Sequence, residues 1–226
     1  MDNGYFEFGR LGYFIVATYI AQLFLIFFYP IPSAGSTYEM LFKRTASSEF
    51  SKQHLSNLDS VLMLEKLILI WTTIVVIFVS AVPLTTLLLP RIYNYLMPLF
   101  KSPPKILSVV SVSFLILGNI ITFIAVFTLK QHVTFHNFGE TTQLYTKSIF
   151  SFIRNPITLG LVAISVGFVF ALPSVVMFFG LIVFLWNSSR RIKMEENYLQ
   201  RTFGEEYLQY MKRVGKYWPK YHRIRG

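Results

Sequence analysis

Four long blocks without a single charge dominate this chain: Leu11 to Phe28, Leu67 to Leu89, Ile106 to Leu129 and Ile157 to Trp186. Each is long enough for a helix to reach across most or all of the hydrocarbon of a bilayer, so the chain is expected to be an all-helical, polytopic membrane protein rather than a soluble domain. Composition agrees, because only 14% of the 226 residues are charged while 54% are hydrophobic. Cys is absent, which excludes disulfides, thiolate metal sites and a Cys nucleophile.

The first block is preceded by Asp2 and Glu7 against one cation, Arg10, where a secretory signal needs a positive start, so it reads as an uncleaved first span. The second and third blocks each supply one span, joined by a Pro-rich connector from Arg91 to Lys105. The last block has 30 residues, too many for one upright helix and too few for two full spans, and Pro173 divides it. A short hairpin, thinner than the bilayer, accommodates both arms, giving about five helices. Ala163, Gly167 and Ala171, four residues apart, would let one arm pack closely on a neighbour.

With an odd number of spans, four cations (Arg10, Arg91, Lys101 and Lys105) fall on one side and 17 on the other. The cation-rich side, which holds the C-terminus, is expected to be cytoplasmic. The formal net charge of +10 therefore calls for an anionic leaflet and not for nucleic acid. Residues 1–226 are expected to form a single membrane domain, in which 1–105 carry no chemical signature and 106–226 carry the function. No ionisable residue interrupts the blocks, which argues against an ion or proton path.

The hairpin returns two polar segments to one membrane face, one ending at Arg154 and the other starting at Asn187. The latter reads as an amphipathic helix from about Ser188, with an apolar stripe through Ile192, Leu199, Phe203, Tyr207, Tyr210 and Val214. Glu196 falls on that stripe, an odd place for a carboxylate. Two plain readings compete with a functional one: Glu196 reaches outward past its apolar neighbours, or Glu195 merely pairs with Arg191 one turn earlier. Arg154-Asn155-Pro156 likewise fits ordinary capping and anchoring at a membrane boundary. His132 and His136 share a helical face but have no evident third partner, so no metal is expected.

Taken together, the two segments resemble the integral-membrane methyltransferases that include isoprenylcysteine carboxyl methyltransferases and phospholipid N-methyltransferases. The resemblance rests on Arg154-Asn155-Pro156-Ile157-Thr158-Leu159-Gly160, then Arg191, Glu195-Glu196, Leu199, Phe203-Gly204-Glu205-Glu206-Tyr207, Tyr210, Val214 and Pro219. Asn155 and Thr158 stand where the family usually has His and Tyr, and Gln143 where a His often precedes the loop. The resemblance implies S-adenosylmethionine as cofactor, bound at the cytoplasmic face by Gln143, Leu144, Tyr145, Arg154, Asn155, Pro156, Gly160, Glu195 and Glu196, with Arg154 and Glu196 central to catalysis. It also implies a lipophilic acceptor entering from the bilayer: an isoprenylcysteine-like carboxylate, a phospholipid amine or another hydrophobic nucleophile. An NADPH-dependent membrane reductase of sterol-reductase type, and a non-catalytic membrane relative, are the alternatives.

Overall fold

The computed structural model describes residues 11–28, 74, 81–100, 104–132 and 144–220. Most of the second block, His136 and Gln143 lie outside the described residues. Among the described residues the fold is entirely helical, with isolated bridges and no strand. In chain order the helices are α1 (Leu11–Phe28), α2 (81–88), α3 (Lys105–His132), α4 (Pro156–Ala171), α5 (Val175–Phe203) and α6 (Glu205–Arg213). Short 3-10 turns cover Pro90–Leu96 and Ser148–Ser151.

Two helices, over Lys105–Leu129 and Val175–Arg201, are long and apolar enough to cross a membrane; Leu11–Leu25 and Pro156–Ala171 are shorter apolar helices. Only 33% and 22% of the most apolar windows of the two long helices are buried, whereas the core helix of a soluble protein is mostly enclosed. Their outward faces carry Val109, Leu117, Ile120, Phe123 and Phe127 on α3, and Phe178, Phe179, Ile182 and Trp186 on α5. An exposed apolar surface of this extent suits contact with lipid, in keeping with a membrane protein.

Helices α3 and α4 pack along small residues. Gly118 lies against the Gly160 carbonyl and Ile164, and Gly167 lies against Leu115, so the backbones approach as closely as absent side chains allow. Ser111 Oγ donates to the Gly167 carbonyl at 2.8 Å across this seam. Of the expected small-residue stripe, Gly167 makes such an approach, and Gly160, one turn before Ala163, makes another. Helix α1 is joined to α3 by side-chain amides: Gln22 Nε2 donates to Asn119 Oδ1 at 2.9 Å, and Asn119 Nδ2 to Thr18 Oγ1 at 3.1 Å and to the Leu115 carbonyl at 2.8 Å. Polar pairs of this kind hold helices together where apolar burial gives no preference between protein and lipid.

The chain turns back at Pro173, as its sequence predicts. Ser174 caps α5 by accepting from the Met177 amide, and the bend is fastened to the Pro-rich connector, with Leu99 N donating to Pro173 O at 2.9 Å and Val175 N to Met97 O at 3.1 Å. One apolar core lies at this end, built from Ile15, Tyr93, Leu115, Phe168, Leu172 and Met177.

The second arm departs from expectation. No helix begins at Ser188; α5 runs unbroken for 29 residues, about 43 Å at 1.5 Å per residue, from the bend well past the apolar block. Asn187, Ser188 and Ser189 do not break it, because the Ser189 hydroxyl bonds back to the Leu185 carbonyl at 2.8 Å and leaves the backbone ladder intact. The break comes later, at Gly204, whose φ of +53° admits Gly without strain. Helix α6 then has Glu205 and Glu206 in its first turn and Lys212 and Arg213 in its last, the charge order that a helix dipole favours.

Candidate functional site

The end of the hairpin opposite Pro173 gathers four pieces of chain: the loop 144–155, the start of α4, the polar half of α5, and α6 with the segment after it. The redirection at Gly204 folds α6 back so that Tyr207, Tyr210 and Val214 pack with Leu144, Leu199, Phe203 and Met211. These residues form a second, smaller core. Tyr210 crosses it to donate its hydroxyl to the Phe150 carbonyl at 2.6 Å, and Phe150 meets Tyr145 edge to face at 5.8 Å between ring centroids.

After α6 the chain becomes extended at Val214 and runs parallel to Ile153, with the Arg154 amide donating to Gly215 O at 2.9 Å and the Asn155 amide to Lys216 O at 3.2 Å. Gly215 is required here because a Cβ would collide with the Trp218 carbonyl. Asn155 Nδ2 also reaches Lys216 O, at 3.4 Å, and Pro156 is buried at the first position of α4. Asn155 and Pro156 thus set where α4 begins and what it begins against.

This framework holds a charged group. Arg154 Nη2 donates to Glu196 Oε1 at 2.9 Å, and Lys216 Nζ lies 3.5 Å from Glu196 Oε2. The side chains of Arg154 and Glu196 are only 10% and 16% exposed, so this is a largely desolvated ion pair and not a surface contact. Arg154 Nη1 donates to the Met211 carbonyl at 3.1 Å near the end of α6, while its Nε–H is buried without an acceptor among the described residues. Buried donors are nearly always satisfied, so an open one beside an acid sets this group apart from an ordinary structural ion pair. Glu195 sits beside Glu196, with Arg191 one turn earlier on the same helix.

The two tyrosines nearest this group remain neutral. Burial pushes the Tyr207 phenol up, and the Glu196 carboxylate pushes it further against the opposing Arg154. Burial pushes Tyr210 up to about 12, with Arg154 again opposing. A raised phenol contributes stability that is complete below the unfolded value of 10.0 and is lost as pH rises towards about 12. Tyr210→Phe is therefore expected to lower stability by about 1 to 2 kcal/mol, uniformly at all pH below about 10, in thermal unfolding of the detergent-solubilised protein.

Of the residues singled out from sequence, Arg154, Asn155, Pro156, Glu195 and Glu196 come together at this end, with Leu144 and Tyr145 in the adjoining small core and its rim. Gly160 does not join them: it is buried at the α3–α4 crossing against Thr122 and Gly118, where its missing side chain serves helix packing. Gln143 lies outside the described residues. Sequence reasoning missed Lys216, which has no helical periodicity to mark it and is placed only by the parallel contact with residues 153–155.

Residues 106–206 match the model of a known family described as phospholipid methyltransferase. The resemblance read from the motifs thus holds over the segment containing Arg154 and the paired glutamates. No curated protein matches the chain.

Proposed function

Taking residues 106–206 as a phospholipid methyltransferase region, we propose that this protein transfers a methyl group from S-adenosylmethionine to a lipophilic acceptor at the cytoplasmic face of its membrane. The observation that carries this reading is the buried Arg154–Glu196 pair, with Lys216 beside it and one unsatisfied Arg154 N–H, at the meeting point of the two matching motifs. A donor with a carboxylate and an ammonium needs paired cationic and anionic partners, and this end of the fold supplies them. Glu196 or Glu195 accepts from the ammonium, and the cations of the site balance the carboxylate. Leu144 and Tyr145 contribute apolar surface at its edge.

The bound donor supplies an electrophilic methyl on a sulfonium, so the demands on the protein are alignment and exclusion of water. The small core of Tyr207, Tyr210 and Val214, packed on Met211, whose carbonyl accepts from Arg154, anchors the charged group. The exposed apolar faces of α3 and α5 present the site to the bilayer, from which a phospholipid amine or another hydrophobic nucleophile reaches it. For an amine acceptor, Glu195 or Glu196 is the available proton acceptor. Multi-pass insertion with the C-terminal segment on the cytoplasmic side follows from the distribution of cations and keeps the site beside the soluble donor pool.

Thermal unfolding of the full chain with S-adenosylhomocysteine and, separately, with NADPH tests this. At a hundredfold excess over its dissociation constant a ligand stabilises the folded state by about 2.7 kcal/mol, so the first compound raises the midpoint by a few degrees and the second does not. A shift with NADPH alone points to a reductase, and a shift with neither to a non-catalytic relative; either rejects the proposal.

A further inference from the structure

We infer that Lys216, and not Arg154, receives the donor's carboxylate, while Arg154 acts as a positioning residue that holds Glu196 for the ammonium; this rests on the donor reading above. Arg154 is already committed. Its Nη2 is on Glu196 and its Nη1 on the Met211 carbonyl, both within 3.1 Å, and its side chain is 10% exposed. Both Nη atoms are engaged, the side chain is enclosed and the open Nε–H is buried, so an incoming carboxylate would have to compete with Glu196 for the guanidinium that fixes it.

Lys216 has the opposite character. Its side chain is 33% exposed and its ammonium stands 3.5 Å from Glu196 Oε2, longer than a charge-assisted hydrogen bond of about 2.7 to 2.9 Å. Yet its position is well defined, because its carbonyl accepts from both the Asn155 amide and the Asn155 side chain and its neighbour Gly215 accepts from the Arg154 amide. A flexible, hydrated cation on a fixed backbone can swing from one carboxylate to another at little cost. The remaining lone pairs of Glu196 and the Lys216 ammonium are thus adjacent partners of opposite sign, matching a zwitterion whose own charges are close together. The reach of Lys216 depends on the parallel contact between 153–155 and 214–216, of which only the second segment lies beyond the matching residues 106–206.

The test is isothermal titration of the full-length protein in detergent with two probes, S-adenosylhomocysteine and its decarboxylated analogue. Lys216→Met is expected to weaken the first about tenfold or more and to leave the second within about twofold, because only the first carries the group that Lys216 binds. Lys216→Arg is expected to restore most of the loss. The backbone bonds of residue 216 are untouched by either change, and Lys216→Gln provides a second neutral variant should Lys216→Met not fold. Equal weakening of both probes, or unchanged affinity for S-adenosylhomocysteine, overturns the assignment. Wild-type protein that binds neither probe overturns the donor reading itself.

Discussion

Glu196→Leu is expected to destabilise the protein by about 3 kcal/mol, Arg154→Met by about 2 kcal/mol, and the two together by less than either alone. Removing one member of a desolvated pair strands the other. With 10% and 16% exposure, neither charge regains water by a small adjustment. The asymmetry arises from Lys216: without Arg154, Glu196 still has an ammonium at 3.5 Å, whereas without Glu196 the guanidinium keeps only a carbonyl partner. In the double variant both charges are gone, their places are taken by apolar side chains of similar volume, and the Met211 carbonyl keeps its bond from Lys220 at 2.7 Å. Equilibrium unfolding of the four proteins in one detergent measures the cycle. Independent, additive losses would mean that the pair is not coupled as its geometry requires.

The second large effect lies in the helix seam. Gly160→Val is expected to cost about 3 kcal/mol or more and to reduce the yield of folded protein sharply. A Cβ at this position meets Thr122 Oγ1, the Gly118 carbonyl at 2.8 Å and the Thr122 amide at 2.9 Å, and two of these three are backbone atoms that cannot rotate away. Separating α3 from α4 to make room would also break the Ser111 bond to the Gly167 carbonyl. Thermal unfolding and the monodisperse yield after solubilisation report the result; a variant with wild-type stability would show that the seam is looser than the structure has it.

The first, third and fourth apolar blocks and the fold-back at Pro173 were legible in the residues, because uncharged length and a helix-breaking imide each have one dominant physical meaning; the carboxylate on the apolar stripe had several, and only the hairpin and the family resemblance together brought Arg154 and Glu196 to one end. The start of the last helix was not. Ser188 and Ser189 resemble a cap, yet a serine in mid-helix bonds back to the preceding turn just as readily, and only the helix that precedes it decides which it does. Val214 was read as helical because it continued a three- and four-residue spacing across Gly204, although the redirection there and the extended backbone at Val214 end that periodicity. Gly160 belonged to the motif but serves the seam, which shows that adjacency in a motif does not make a residue part of the site. Lys216 was invisible because a pairing between segments some 60 residues apart leaves no local pattern.

These placements give a division of labour. The seam of α3 and α4 and the core near Pro173 hold the hairpin together, and the smaller core around Tyr207 and Tyr210 lies with Arg154, Glu196 and Lys216 at the other end. Separating structural from functional use of the ion pair is therefore the decisive step, and the Arg154→Met/Glu196→Leu double variant does so because it is expected to fold. Titrating it with S-adenosylhomocysteine beside the wild type is the most direct measurement: one site on the wild type and no detectable binding to the folded double variant is the predicted result. Binding to the double variant with wild-type affinity would contradict the account, leaving the pair a strut in the fold and placing the donor elsewhere.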